Sequence, residues 1–471
     1  MRLSVYGLIV LFVLSLLMQR SEAADLEMMG NISVSGTVTA GSFSGSGAGL
    51  TNIPGTALSN TSVTVNQLAD SAVTVGKLAN NAVTPSKIAF YGNVAIVAKT
   101  GGDYTDPETA MSSYASWCVS PSASNPCLLK IMPGVYDIGD GNLVMHPYID
   151  IEGSGENITV VTSNGVEGGT AAGTVHGASN AELRFIKVQN TGAGRNYAVA
   201  IYNNGSSPKI TNVTASASNG FNFTYGVYNN AASAVMTNVT ATASTIGTNS
   251  NGVFNSGNSS PIMTNVIATA SGGSYCTGIY NYGASPIMTN VTVTAIGGTS
   301  YTEGISNVTN AAPTMIGVTV NASGVTGGTC YGVANWQASP KMMNVIVTAS
   351  GGQDNYGIRH ENTSGGTMTN VTATASGAYS YGIYQSASSL VMMGVAASGG
   401  TYGVWNAGSG TMKISHSEIK GGNTVWNASG VVQIGNSKLD GGSALNAASG
   451  ATLTCAGVFD ENYIFSASTC P

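Results

Sequence analysis

Charge is what this sequence has least of. Only 8% of its 471 residues are Asp, Glu, Lys or Arg, against about 25% in an ordinary soluble domain. With 15 Lys+Arg, 21 Asp+Glu and 4 His, the formal net charge is −6. Nucleic-acid binding through a basic surface is thereby excluded, because neutralising phosphates needs clustered Lys and Arg. Charge-driven disorder is excluded too, since 43% of the residues are hydrophobic and the mean hydropathy is positive. Long apolar runs are equally scarce. The one at Tyr6–Met18 follows Arg2 and precedes Ser21-Glu22-Ala23, which is the pattern of a secretory signal peptide over residues 1–23. It is short for a membrane span of ~20 residues. The mature chain is therefore expected to be secreted or displayed at a cell surface, with no part in a membrane. Helical periodicity, metal-ligand spacings, a Ser-His-Asp order and a phosphate loop are all missing, so no metal or cofactor is expected.

What the chain has in quantity is glycine, 63 residues of it, and a repeat. Asn212-Val213 recurs as Asn238-Val239, Asn265-Val266, Asn290-Val291, Gly317-Val318, Asn344-Val345, Asn370-Val371 and Gly394-Val395, at spacings of 24 to 27 residues. Weaker copies follow at His416 and Asn436. A period of this length marks a solenoid or array. Short Val/Thr/Ile/Tyr runs between Gly, Ser and Asn make each repeat a coil of β-strands. Methionine stands two before the mark in seven coils, Met236 to Met392, and Val one after it. Those two positions share a face only if the chain bends at the Asn, which tolerates the left-handed conformation. Stacked from coil to coil, Asn212, Asn238, Asn265, Asn290, Asn344 and Asn370 are expected to form an amide ladder.

A second mark is Gly followed by Val or Ile, from Gly226 to Gly403. It precedes the Asn-type mark by 12 or 13 residues in every coil, so the length variation lies in the other segment, whose Gly/Ser-rich loops either mark a binding face or simply drift in length as surface loops do. Two residues after the second mark runs an aromatic column: Tyr202, Tyr228, Phe254, Tyr280, then Ser306, Ala334 and Arg359, then Tyr384, Trp405 and Trp426. Strand alternation places it opposite the buried Val/Ile. An exposed aromatic stripe serves sugar stacking or protomer packing, or simply supports neighbouring strands.

Six cysteines fit an oxidising compartment. Cys118 with Cys127 and Cys455 with Cys470 are the candidate disulfides. Cys276 and Cys330 occupy equivalent positions two coils apart. Strands stacked at ~4.8 Å would hold their Cα atoms ~9.6 Å apart, beyond the ~7 Å a disulfide spans.

Two segments carry resemblances. Val34–Ala40, Phe43–Asn52 and a ten-residue repeat over 63–89 (Val63, Val73, Val83; Leu68, Leu78, Ile88) resemble the stalks of phage tail fibres and bacterial surface fibres. That resemblance implies a stalk over 24–92, extracellular attachment and a homo-oligomer, a trimer by analogy. Val97–Tyr104, Lys130–Tyr136 and Ile151–Gly155 resemble the opening segment of pectin-lyase-like right-handed parallel β-helices of the pectinesterase type. There a short helix, here over Pro107–Trp117, covers the open end of the first coil. The expected layout is a cap and first coils over 93–165, the β-helix over 166–457, and a C-terminal cap over 458–471 in which Val458, Phe459, Tyr463 and Phe465 fold over the last coil.

The fold class expected is all-β, a right-handed parallel β-helix (β-solenoid) with an N-terminal fibrous stalk. Activity is less legible. The paired-Asp, Arg and Gln motifs of pectinesterases, the Asp pair of polygalacturonases and the calcium cluster of pectate lyases are missing; Val175-His176-Gly177 is a fragment without partners. Asp150 and Glu152 share a strand face and are the weak candidates for acid–base work. Asp354, Arg359, His360 and Glu361 form the one charged rung among the coils, either a site or a solvated face. The leading reading is a non-catalytic, adhesive protein whose partner is a polysaccharide or cell-surface glycan. Its rivals are a divergent polysaccharide lyase, esterase or glycoside hydrolase, and a purely structural fibre.

Overall fold

The computed structural model describes residues 91–164, 173–192, 194–362, 365–386 and 389–471, with 35–37 and 39. The signal peptide and nearly all of the stalk expected over 24–92 lie outside the described residues. Within the unit Asn80–Pro471, the described residues from 91 on form a parallel β-solenoid. Its first strand, Asn93–Val97, pairs in register with Cys127–Ile131, which pairs in turn with Ile149–Glu152. The coils therefore begin well before the visible repeat and continue to Thr452–Ala456.

The helix of the opening segment is Pro107–Ser112, followed by a single 3-10 turn at Tyr114–Ser116. The Asp106 side chain caps it, accepting from the Thr109 N–H at 2.7 Å, and Pro107 stands where no N–H is needed. Ala110 and Met111 are buried against the first coils. This helix covers what would otherwise be an open sheet edge. The Cys118–Cys127 disulfide ties it to the second coil. At the other end Val458–Phe459 pairs antiparallel with Phe465–Ser466, and Cys455 is bonded to Cys470. The expected four-residue C-terminal cap is only partly formed. Val458 is buried, whereas Tyr463 and Phe465 stay 71% and 58% exposed, Tyr463 under the Lys438 ammonium and Phe465 against Phe459, rather than over the interior of the last coil. Cys276 and Cys330 are free and buried, with Thr302 on the rung between them.

Two kinds of corner shape each coil. At the Asn mark, φ lies between +48° and +55° in Asn212, Asn238, Asn265, Asn290, Asn344, Asn370, His416 and Asn436, and Gly317 and Gly394 match them. The left-handed residue turns two successive side chains outward, so this corner is convex. Its amides bond upward: Asn238 donates to Asn212 at 2.9 Å, Asn265 to Asn238 at 3.1 Å, and Asn370 to Asn344 at 3.3 Å. The Met column two residues earlier is wholly buried. At the Gly mark the reverse occurs. Gly226 and Val227 both face inward, and a Cβ on Gly226 would stand 2.8 Å from Thr242 N on the opposite wall. Gly252 meets Thr269 N at 2.9 Å in the same way. Only a residue without a side chain lets the two walls approach so closely. Two successive inward residues make this corner concave on its outer side.

A second ladder, unforeseen from the repeat, runs inside the solenoid three residues after the Gly. Asn203, Asn229, Asn255, Asn281, Asn307 and Asn335 each donate to the next at 2.7–2.8 Å. The chain of amides resumes with Gln385, Asn406 and Asn427. Every one of these side chains is buried. From the Asn203 amide N–H onward, stacking pairs donors and acceptors that would otherwise cost about 1–3 kcal/mol each; the Asn203 Oδ1 at the start of the ladder has no partner among the described residues.

Candidate functional site

The concave corner decides where the aromatics lie. Alternation sends the column at +2 from the Gly outward, as expected, but the bend also brings the residue at −1 onto the same outer face. Tyr225 therefore contacts Tyr228, with ring centroids 5.3 Å apart, although three residues separate them. On a flat strand they would point to opposite sides. The result is a groove with two walls. In its N-terminal part the +2 wall is aromatic, with Tyr228 stacked on Phe254 at 4.7 Å and Phe254 on Tyr280 at 5.2 Å. In its C-terminal part the −1 wall takes over: Tyr331, Tyr356, Tyr381 and Tyr402 stack at 5.2, 4.6 and 5.6 Å. Tyr384, Trp405 and Trp426 resume the +2 wall there.

This corrects the expected exposed stripe. Tyr202 and Tyr228 are only 5% and 7% exposed. They pack with Val199 and Tyr225 in a cluster separate from the main core, because the concavity folds the two walls onto each other. Phe254, Tyr280, Tyr384, Trp405 and Trp426 are half-buried, each keeping part of its surface in the groove. The missed −1 wall did have a signal: a tyrosine immediately before the marked Gly in four successive coils, Tyr331 to Tyr402. The variable loops lead directly into the groove strands.

Where the aromatic wall changes sides, the groove opens into a cavity of about 360 Å³, lined by Tyr275, Tyr280, Tyr301, Glu303, Tyr331 and Trp336. Ser306, which lines the cavity, stands in register with Tyr280, where other coils carry a ring. Glu303 occupies the −1 position at the switch. Its Oε2 accepts from Thr277 Oγ1 at 3.3 Å. Burial pushes its carboxyl upward, and the hydroxyls of Ser306 and Thr277, the charge of Arg359 and the Trp336 indole offset this only in part.

The charged rung divides between faces. Arg359 points into the groove, inside a box of rings. Its guanidinium carbon lies 4.6 Å from the Trp336 centroid and 5.0, 5.2 and 5.3 Å from those of Tyr356, Tyr384 and Tyr331. It bonds Glu361 and donates to the Tyr331 hydroxyl at 2.7 Å. His360 points inward and replaces an amide of the buried ladder, with Asn335 at 3.4 Å from its Nε2. Its Nδ1 is buried without a partner among the described residues, and burial lowers its pKa to about 4.

The weak catalytic candidates lie elsewhere, in the first coils. Arg184 bonds Glu152 at 2.7 Å, Glu182 at 3.0 Å and Asp150 at 3.3 Å, and Lys130 bonds Glu152 at 2.7 Å. Tyr91 donates to Asp150 at 2.6 Å and accepts from Arg184 at 2.7 Å. Burial raises the Glu152 carboxyl, but hydrogen bonds from Lys130 and Arg184 outweigh that and hold it below the usual range. A general acid needs the opposite shift. The geometry is that of charges neutralised across stacked coils.

No family model matches this chain, and no curated protein does. Solved structures similar to it include the A-module of a mannuronan C-5 epimerase from Azotobacter vinelandii, at 12% identity, over 75% of this chain and 95% of that one, with a TM-score of 0.47. The Dettilon tailspike protein is 14% identical over 77% of this chain and 68% of its own, with a TM-score of 0.42. A pectin methylesterase from Erwinia chrysanthemi is 12% identical over 56% of this chain and 82% of its own, with a TM-score of 0.32. These are likenesses of fold, and none of them transfers an activity to this chain.

Proposed function

We propose that this is a non-catalytic, glycan-binding β-helix acting outside the cell, which lays a polysaccharide along the groove at its concave corner. The observation that carries this reading is the run of stacked, half-buried rings on both groove walls. Aromatic faces offer large, rigid apolar area to the C–H faces of sugar rings, while their phenol and indole groups bond sugar hydroxyls. The low charge fits a neutral or weakly charged chain as the ligand. Export through residues 1–23, and assembly into a homo-trimer through a stalk at 24–92, belong to the same proposal. Among the described residues no helix is long and apolar enough to cross a membrane.

The test is a panel of polysaccharides scored for both retention and product release. Retention without release is expected, and it should weaken in Trp405→Ala and Tyr384→Ala. Product release that survives purification would replace this reading with the enzyme reading. Size measurement with and without residues 24–92 tests assembly; a monomer in both cases rejects the trimer.

A further inference from the structure

The groove holds two adjoining clusters of rings, which share Tyr331 and Trp336. Around Arg359 the cluster is filled by the protein's own cation, with four ring centroids within 5.3 Å and Glu361 as counter-charge. That distance is inside the ~6 Å over which ring faces attract a cation. On the other side of Tyr331 and Trp336, Glu303 has rings around it but, among the described residues, no cation bonded to it. Tyr275, Tyr280, Tyr301, Tyr331 and Trp336 form the walls, and a carboxylate stands among them. The neighbours that bond Glu303 are hydroxyls and an indole. Arg359 reaches it only through its charge, since the guanidinium is bonded to Glu361 and Tyr331.

We propose that the Glu303 cavity binds an organic ammonium group, protonated or quaternary, carried on a body about the size of one sugar ring. The inference rests on the groove reading, because the cavity is a station along that groove. Ring faces carry negative quadrupole potential, and a carboxylate adds to it, so the cavity favours cations and disfavours anions. The raised Glu303 carboxyl is consistent with a desolvated acid short of positive charge. At about 360 Å³ the cavity is at the small end of ligand pockets, roughly 300–1,000 Å³. Ser306, lining the cavity where other coils carry a ring, keeps it open, so the specificity resides in this small residue as much as in the acid.

The experiment is a titration of the full chain with glucosamine, N-acetylglucosamine, glucose and choline, followed by calorimetry and by fluorescence. Glucosamine or choline is expected to bind at least tenfold more tightly than N-acetylglucosamine and glucose. Fully deacetylated chitosan oligomers binding more tightly than glucosamine would make the ammonium glycan-borne. Choline binding more tightly than those oligomers would make it a free quaternary amine. Glu303→Gln should lower the affinity for the ammonium probe at least tenfold, and Ser306→Trp, which fills the cavity, should abolish binding; a thermal melt of each establishes folding. Neither glucosamine nor choline binding more tightly than N-acetylglucosamine and glucose, or undiminished binding of the ammonium probe by folded Glu303→Gln, overturns the inference. Polysaccharide retention without ammonium preference defeats this inference alone. Ammonium binding with no polysaccharide retained defeats the groove reading instead.

Discussion

The first coils and the middle coils of this protein treat their acidic side chains in opposite ways. In the first coils Arg184 and Lys130 answer Asp150, Glu152 and Glu182 in one bonded network. In the middle coils Glu303 stands among rings, and the nearest guanidinium is committed to Glu361. The same kind of side chain is pulled down in one setting and pushed up in the other: Glu152 by its cations, Glu303 by burial. A carboxylate with bonded cations on adjacent coils holds coils together. One left short of positive charge in a cavity is available to a ligand.

The largest way to break this comparison is to remove Arg184. Arg184→Ala leaves three partly buried carboxylates with one cation fewer. It should cost about 3 kcal/mol at neutral pH, read from denaturant unfolding, without changing glycan retention. Loss of retention at unchanged stability would give the network a binding role. Comparable in size is the effect of His360, the ionisable intruder in the inner amide ladder. It is neutral when folded, so its contribution is complete above the ordinary imidazole pKa near 6.5 and is lost as pH falls through about 4. Across that window the wild type should lose about 3 kcal/mol that His360→Asn retains; parallel pH–stability curves would refute this. Smaller is the effect of the groove walls: Trp405→Ala should weaken polysaccharide binding by about 1 kcal/mol, measured by affinity electrophoresis. Smallest is Glu303→Gln on stability. A carboxyl raised by burial supports folding below its unfolded pKa, and that support is lost as pH rises through the folded value. The Gln variant should therefore melt higher than wild type at neutral pH and equally at acid pH. The reverse order would mean that Glu303 is well paired.

Much of the fold was legible because a solenoid repeats its local rules. Asn at the convex corner, Met two before it and Val one after it are each decided within a few residues, and every coil restates them. The two disulfides and the free Cys276 and Cys330 followed from position and from strand spacing. The candidate site was legible only in half. The +2 column was visible, and so was its interruption at Ser306, Ala334 and Arg359. The burial of Tyr202 and Tyr228 was not, because it depends on the −1 wall folding against them. Nor was the inner ladder, since Asn229 and its copies look like surface polar residues until the interior is seen to be narrow.

The sequence by itself determined the coil, the positions of its bends and the scarcity of charge; identical columns stacked at ~4.8 Å leave little room for repeated like charges. Only the tertiary structure decided which bends are concave. That depends on how near the opposite wall comes to each Gly, a distance set by residues about 16 positions away, such as Thr242 facing Gly226. The concavity makes the groove, and the change of aromatic wall across three coils makes the cavity at Glu303. Neither exists in any single repeat.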